Sequence, residues 1–160
     1  MQKEWNYEDE WFEETNVALK IRDYLKLQGF EVLHFNDNKK DKGHDIEVRK
    51  NGKKLIIEVK GFPSDKYVDG ARKGQKNRTP PNLQATHWFS DVLFAVLVAK
   101  SDKWEDNVAI GLPDFPKYKD LIERTKPILE KIGIDCYIVK RDGQVELKAS
   151  QTDHKLQEAL

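Results

Sequence analysis

The amino-acid sequence predicts an α/β fold, and three observations carry that expectation. Two alternating runs, residues 45–50 and 53–60, flank Asn51-Gly52, a dipeptide that favours the left-handed dihedrals of a two-residue type I′ hairpin. Apolar residues recur at helical spacing twice: Val17, Ala18, Ile21, Tyr24 and Leu25, then Leu121, Ile122, Thr125, Leu129 and Ile132. Short apolar runs at residues 107–112 and 134–140 read as strands separated by the second of these helices.

Length and composition bound the class. The 160 residues are one domain's worth of chain, long enough to bury roughly two-thirds of the unfolded surface. Lys+Arg and Asp+Glu balance at 28 each, which argues against a protein that coats nucleic acid by bulk charge but allows a local basic patch. Cys136 is the only cysteine, so neither a disulfide framework nor a cysteine-rich zinc site is expected. The acidic, aromatic start (Trp5, Tyr7, Trp11, Phe12) is unlike a signal peptide, and no apolar run approaches the length of a membrane span. The expected compartment is a reducing cytoplasm, without membrane association.

The first helix settles in after that start and ends at Gly29 as a C-terminal cap. The middle of its apolar stripe passes through Glu14, with Glu10 one turn earlier, although a carboxylate in line with a core stripe needs a partner. An acid in the first turn facing the helix dipole is the alternative reading of Glu14. Residues 30–35 form a first strand, in which His34 reads as a half-buried strand residue rather than a ligand. Residues 36–42 are a polar loop leading to the hairpin, and His44 either closes that loop or touches a substrate phosphate.

With a two-residue turn the hairpin register follows by counting. Lys50 faces Lys53, Val48 faces Leu55, Ile46 faces Ile57, and Asp45 faces Glu58. Alternation places Asp45, Glu47, Arg49, Lys54, Ile56, Glu58 and Lys60 on one face, and Ile46, Val48, Leu55, Ile57 and Val59 on an apolar one that must pack against something. Like charges directly opposite repel, so two opposed carboxylates are costly unless a cation sits between them. Mg²⁺ is the natural candidate, since it is typically held by one or two carboxylates plus water and phosphate oxygens. A solvated charged face on a surface hairpin is the alternative; the acid-against-acid register and the apolar run 55–59 weigh against it.

Asp45, twelve intervening residues, then Glu58-Val59-Lys60 resembles the PD-(D/E)XK motif of restriction endonuclease-like nucleases, with His44 in place of the motif's proline. The resemblance covers about residues 10–145. It implies a restriction endonuclease-like core, a central mixed sheet flanked by helices, and a metal-dependent DNA endonuclease using Mg²⁺ or Mn²⁺. It further implies Asp45 and Glu58 as metal ligands with the Val59 carbonyl, Lys60 as a catalytic lysine, and an added acid from the first helix, Glu14 or alternatively Glu13. A glutamine on the helix after the lysine also fits several nuclease branches; Gln84-x-x-x-Trp88 is similar to that pattern. The small size implies a homodimer or a partner protein that supplies specificity. A non-catalytic binding or assembly module of the same fold, and an RNA endonuclease, are the other readings.

Residues 61–81 are a long stretch of low apolar content, containing Lys66, Arg72, Lys73, Lys76 and Arg78. Between residues 39 and 78 there are thirteen Lys/Arg against six Asp/Glu, a positive patch that net neutrality conceals. Basic residues on a Gly-rich backbone beside the motif suit a nucleic-acid phosphate chain; a solvated disordered loop is the alternative. Asn82 is expected to open the second helix after two prolines, with Gln84, Trp88, Asp91 and Ala95 on one face. Residues 92–99 are apolar all round and so read as buried. The helix at 116–132 is expected to kink or break at Pro127. A final strand pair turns at Asp142-Gly143, and residues 149–160 read as a polar tail.

Overall fold

The structure is a computed structural model in which residues 14–37, 42–67 and 70–149 are described. Glu13, the N-terminal aromatics and the tail beyond residue 149 fall outside the described residues. Helix α1 (Glu14–Leu27) leads into β1 (Glu31–Phe35), the hairpin β2 (Ile46–Lys50) and β3 (Lys53–Val59), and helix α2 (Pro81–Asp102). Strand β4 (Asn107–Pro113), helix α3 (Pro116–Ile132), and strands β5 (Ile134–Val139) and β6 (Val145–Ala149) complete the order.

The six strands form a mixed sheet in sequence order, β1 to β6. The β3–β4 and β4–β5 pairs are parallel and the rest antiparallel. Parallel neighbours need crossovers, here α2 and α3, and two right-handed crossovers running the same way along a sheet leave both helices on one face. Phe89, Val92 and Val96 of α2 and Tyr118, Ile122 and Leu129 of α3 accordingly share one core layer with Ile56, Ile110 and Ile138 of the strands. Helix α1 covers the other face: Val17, Ala18, Ile21 and Leu25 pack on Ile46, Val48, Leu55, Ile57 and Val59. That is the apolar hairpin face read from the sequence, now with its cover.

The turn has the expected dihedrals, Asn51 at φ 52° and Gly52 at φ 73°, and the register from Lys50–Lys53 to Ile46–Ile57 matches the count. Ile56 lies on the face away from Leu55, Ile57 and Val59, as alternation places it, and is buried at 2% exposure because α2 and α3 cover that face along the middle of β3. Two expectations need correction. Residues 92–99 are helical but not buried all round. Phe94 is 69% exposed, and Leu97 and Val98 are exposed too, since a crossover helix in an outer layer has only one side to bury. Finally, α3 runs unbroken through Pro127, with Ile122 and Leu129 buried on either side of it and holding both turns against the sheet. Among the described residues, no helix is long and apolar enough to cross a membrane.

Candidate functional site

In open α/β sheets, groups at the carboxyl ends of parallel strands are the ones left clear of the layers, and ligands gather there. Strand β3 ends at Val59, so Glu58 and Lys60 stand at that edge. Strand β2 runs antiparallel, so its first residues, and Asp45 just before them, stand at the same edge. The start of α1 brings Glu14 there as well: Glu14, Thr15, Ala18, Asn36 and Asp45 line a cavity of about 30 Å³. A cavity of that size has room for a water molecule.

The ladder stops at Ile46–Ile57, so Asp45 is not a strand residue facing Glu58 as the counted register has it. Its carboxylate instead turns to the end of β3, where Oδ2 accepts the Val59 N–H at 2.7 Å. The two acids still meet. Burial pushes the Glu58 carboxyl above the usual carboxylate range; a hydrogen bond from His44 opposes the rise, and the charge of Asp45 adds to it. Glu47, on the same strand face, is different: burial alone would raise it, but the Lys54 ammonium at 2.6 Å holds it below its ordinary value. The Glu47–Lys54 pair is thus neutralised, whereas Asp45 and Glu58 are crowded acids at the edge.

His44 is the functional candidate that sequence reasoning left without a role. Its Nδ1 meets Oε1 of Glu58, so it supplies part of the compensation that a cation would give. The signal available was its place beside Asp45, but only the bend before β2 shows that the ring swings across to β3. Tyr118 is the other omission. Its hydroxyl donates to the Gly61 carbonyl at 2.9 Å from a fully buried position, fixing the backbone directly after Lys60. Burial, and then the negative charge of Glu14, push the Tyr118 phenol above its ordinary range, which places Glu14 within electrostatic reach of that same turn. Lys60 donates its own N–H to the Gly111 carbonyl at 3.1 Å, while its side chain is half-buried and makes no ion pair with a described residue.

Gln84 is placed differently from its expected role. It is 6% exposed, and its Nε2 donates to the carbonyls of Ser64 at 2.9 Å and Thr79 at 2.6 Å. The amide thus ties together the two ends of the basic stretch. That stretch is not an irregular loop: residues 64–67 and 70–79 form the two sides of a short antiparallel arm, with Lys66 bridged to Lys76. Tyr67 N–H donates to the Gln75 carbonyl at 3.0 Å, and Asn77 N–H to the Asp65 carbonyl at 2.6 Å. Lys66, Arg72, Lys73, Lys76 and Arg78 are all exposed.

No family model matches the chain, and no curated protein matches it. The site therefore has to be read from its own chemistry. Among the described residues, no three or more His, Cys, Asp or Glu side chains are grouped to hold a metal ion. Asp45 and Glu58 converge there, and two carboxylates are as many as Mg²⁺ typically takes from a protein, so these two residues could hold such an ion.

Proposed function

We propose that the protein is a metal-dependent nuclease of the PD-(D/E)XK kind, with a restriction endonuclease-like core, hydrolysing DNA phosphodiester bonds at the Asp45–Glu58–Lys60 edge. The observation that carries this reading is the meeting of the Asp45 and Glu58 carboxylates at the carboxyl end of β3, with Lys60 following directly on that strand. Glu14 across a cavity of about 30 Å³ supports it.

Asp45 and Glu58 would hold Mg²⁺ or Mn²⁺, with the Val59 carbonyl as the backbone ligand that the motif implies. When bound, such an ion lowers the pKa of a coordinated water and stabilises charge on the attacked phosphate. The remaining work falls to the chain's own groups. Asp45 is aimed by the Val59 N–H, and Glu58 by His44. Lys60 would donate to a phosphate oxygen as negative charge develops in the transition state, the role of a preorganised cation. Its direction is set by two anchors on adjacent peptides, Gly111 under its own N–H and Tyr118 on the Gly61 carbonyl. Glu14 stands where it can accept a proton from a water in the cavity it shares with Asp45.

The test is a cleavage panel: supercoiled plasmid, single-stranded DNA and RNA, each with Mg²⁺, with Mn²⁺ and with chelator. The reading expects metal-dependent nicking of the plasmid. Cleavage of RNA alone would move the substrate, and no cleavage of any of the three would favour the non-catalytic module.

A further inference from the structure

The arm made by residues 64–67 and 70–79 carries charges that no described residue balances with an ion pair. Lys66 and Lys76 are bridged directly across its two strands, and like charges opposed across an antiparallel pair destabilise it. Neither makes an ion pair with a described residue, nor do Arg72 and Lys73 near the tip.

Yet the arm is built to hold its shape. The Arg72 guanidinium lies over the Tyr67 ring at 5.9 Å from its centroid. Hydrogen bonding from the Arg78 backbone, and then from the Arg72 side chain, holds the Tyr67 phenol below its ordinary value. Gly70 at φ 74° and Gly74 at φ 81° take left-handed backbone at the tip, and the Gly74 N–H returns to the Tyr67 carbonyl at 2.8 Å. At the base, the buried Gln84 amide holds Ser64 and Thr79 together. A polypeptide that fixes two uncompensated lysines face to face is preorganised for a polyanion, since the ordering is already in place before binding.

The reach of the arm is set by the chain. Lys66 follows Lys60 by six residues, so at ~3.6 Å per residue their backbones lie within about 22 Å. At 3.4 Å of rise per nucleotide that is about six nucleotides.

We propose that residues 64–67 and 70–79 are a preformed phosphate grip. Lys66 and Lys76, with Arg72 and Lys73 at the tip, hold the nucleic-acid backbone within about six nucleotides of the bond cleaved, and Gln84 is a positioning residue for the arm. This rests on the nuclease reading above. The shared chemistry is the phosphodiester backbone, and duplex and single-stranded probes separate its two sources.

The experiment measures binding of the full chain to a labelled 20-mer DNA duplex and to a labelled 20-mer single strand, by fluorescence anisotropy in chelator across a salt series. The comparison is wild type against Lys66→Gln/Lys76→Gln, Gln84→Met, and Lys103→Gln as an exposed control. The double variant should weaken binding and flatten the slope of log K on log salt, by up to about 1.8 on duplex (0.9 for each of two contacts) or about 1.4 on single strand. The control should change neither. Gln84→Met, which keeps the volume but not the donor, should weaken binding and speed trypsin cleavage within residues 64–79. A role of Gln84 in helix stability alone would lower the melting temperature and leave both readouts unmoved. If wild type binds and the double variant keeps its affinity and slope on both probes, the grip is wrong while the nuclease reading stands. If wild type binds neither probe at low salt, both fall.

Discussion

Asp45 offers a test of the edge that needs no substrate. Its carboxylate is pulled two ways: it accepts the Val59 N–H at 2.7 Å, and it lies against Glu58, whose carboxyl its charge pushes upward. A hydrogen bond to a charged acceptor is worth about 1.5–3 kcal/mol and a neutral one about 0.5–1.5, so Asp45→Asn, which keeps an acceptor oxygen, forfeits about 1 kcal/mol. Two like charges as close as ~4 Å repel by up to ~4 kcal/mol at an effective dielectric constant near 20, which is the ceiling on what removing the Asp45 charge returns, less whatever His44 already compensates. Without metal, Asp45→Asn should therefore lie between about 1 kcal/mol below wild-type stability and about 3 kcal/mol above it. Asp45→Ala relieves the same repulsion but leaves the Val59 N–H without its acceptor, and should fall about 1–3 kcal/mol below Asp45→Asn. Urea unfolding in chelator measures all three. Repeating it with Mg²⁺ at a hundredfold excess over Kd should add about 2.7 kcal/mol to wild type and much less to either variant. If Asp45→Asn were less stable than Asp45→Ala, or if Mg²⁺ stabilised all three alike, the account of Asp45 as both a repelled acid and a metal ligand would be refuted.

Three further outcomes follow from the same geometry. Tyr118→Phe strips the Gly61 carbonyl of its buried donor and should cost about 1–3 kcal/mol in urea unfolding; under the nuclease reading it should also lower kcat more than it raises KM, because it loosens the turn after Lys60. Gly111→Ala would place a Cβ 2.4 Å from Ile21 Cδ1 and 3.1 Å from Val59 Cγ2, so overpacking between α1 and β4 should cost about 1–3 kcal/mol; wild-type stability would show that α1 can lift without penalty. The Cys136 thiol is pushed up to about 12 by burial and then by the charge of Asp135. Its contribution to stability is therefore full below its unfolded value near 9 and is lost as pH rises toward 12. Native protein at pH 8 should resist an aromatic disulfide reagent that labels the unfolded chain at once, and rapid native labelling would contradict the burial.

Much of this arrangement was legible in the chain because it is local. Asn51-Gly52 set a turn whose geometry fixes register, and from the register came the apolar face that α1 covers. Glu14 stood out as an acid in a core stripe, and it does line the cavity with Asp45. What escaped depends on layers and long-range contacts. Alternation marks Ile56 as sharing a face with charges, but it does not say that α2 and α3 cover that face. Hydropathy cannot separate an all-round apolar helix in an outer layer, with Phe94 in water, from a buried one. His44 reaching Glu58 and Tyr118 reaching Gly61 join residues 14 and 57 positions apart. The basic stretch looked like a loop because Gly, Pro and Lys carry no strand signal; its ends are tied by Gln84, which lies outside it, and hydropathy carries no trace of the contacts Tyr67 makes within it.

The central claim is that Asp45, Glu58 and Lys60 form one hydrolytic centre. The most direct measurement is cleavage of supercoiled plasmid by wild type, Asp45→Asn, Glu58→Gln and Lys60→Ala with Mg²⁺, with the ends of the products analysed and folding checked by circular dichroism. Wild type should nick the plasmid, leaving the 5′-phosphate ends that the resemblance to PD-(D/E)XK nucleases implies, and each variant should keep a native spectrum and lose cleavage. Cleavage that persists in Lys60→Ala would remove the lysine from the mechanism, and cleavage that persists in all three would contradict the claim.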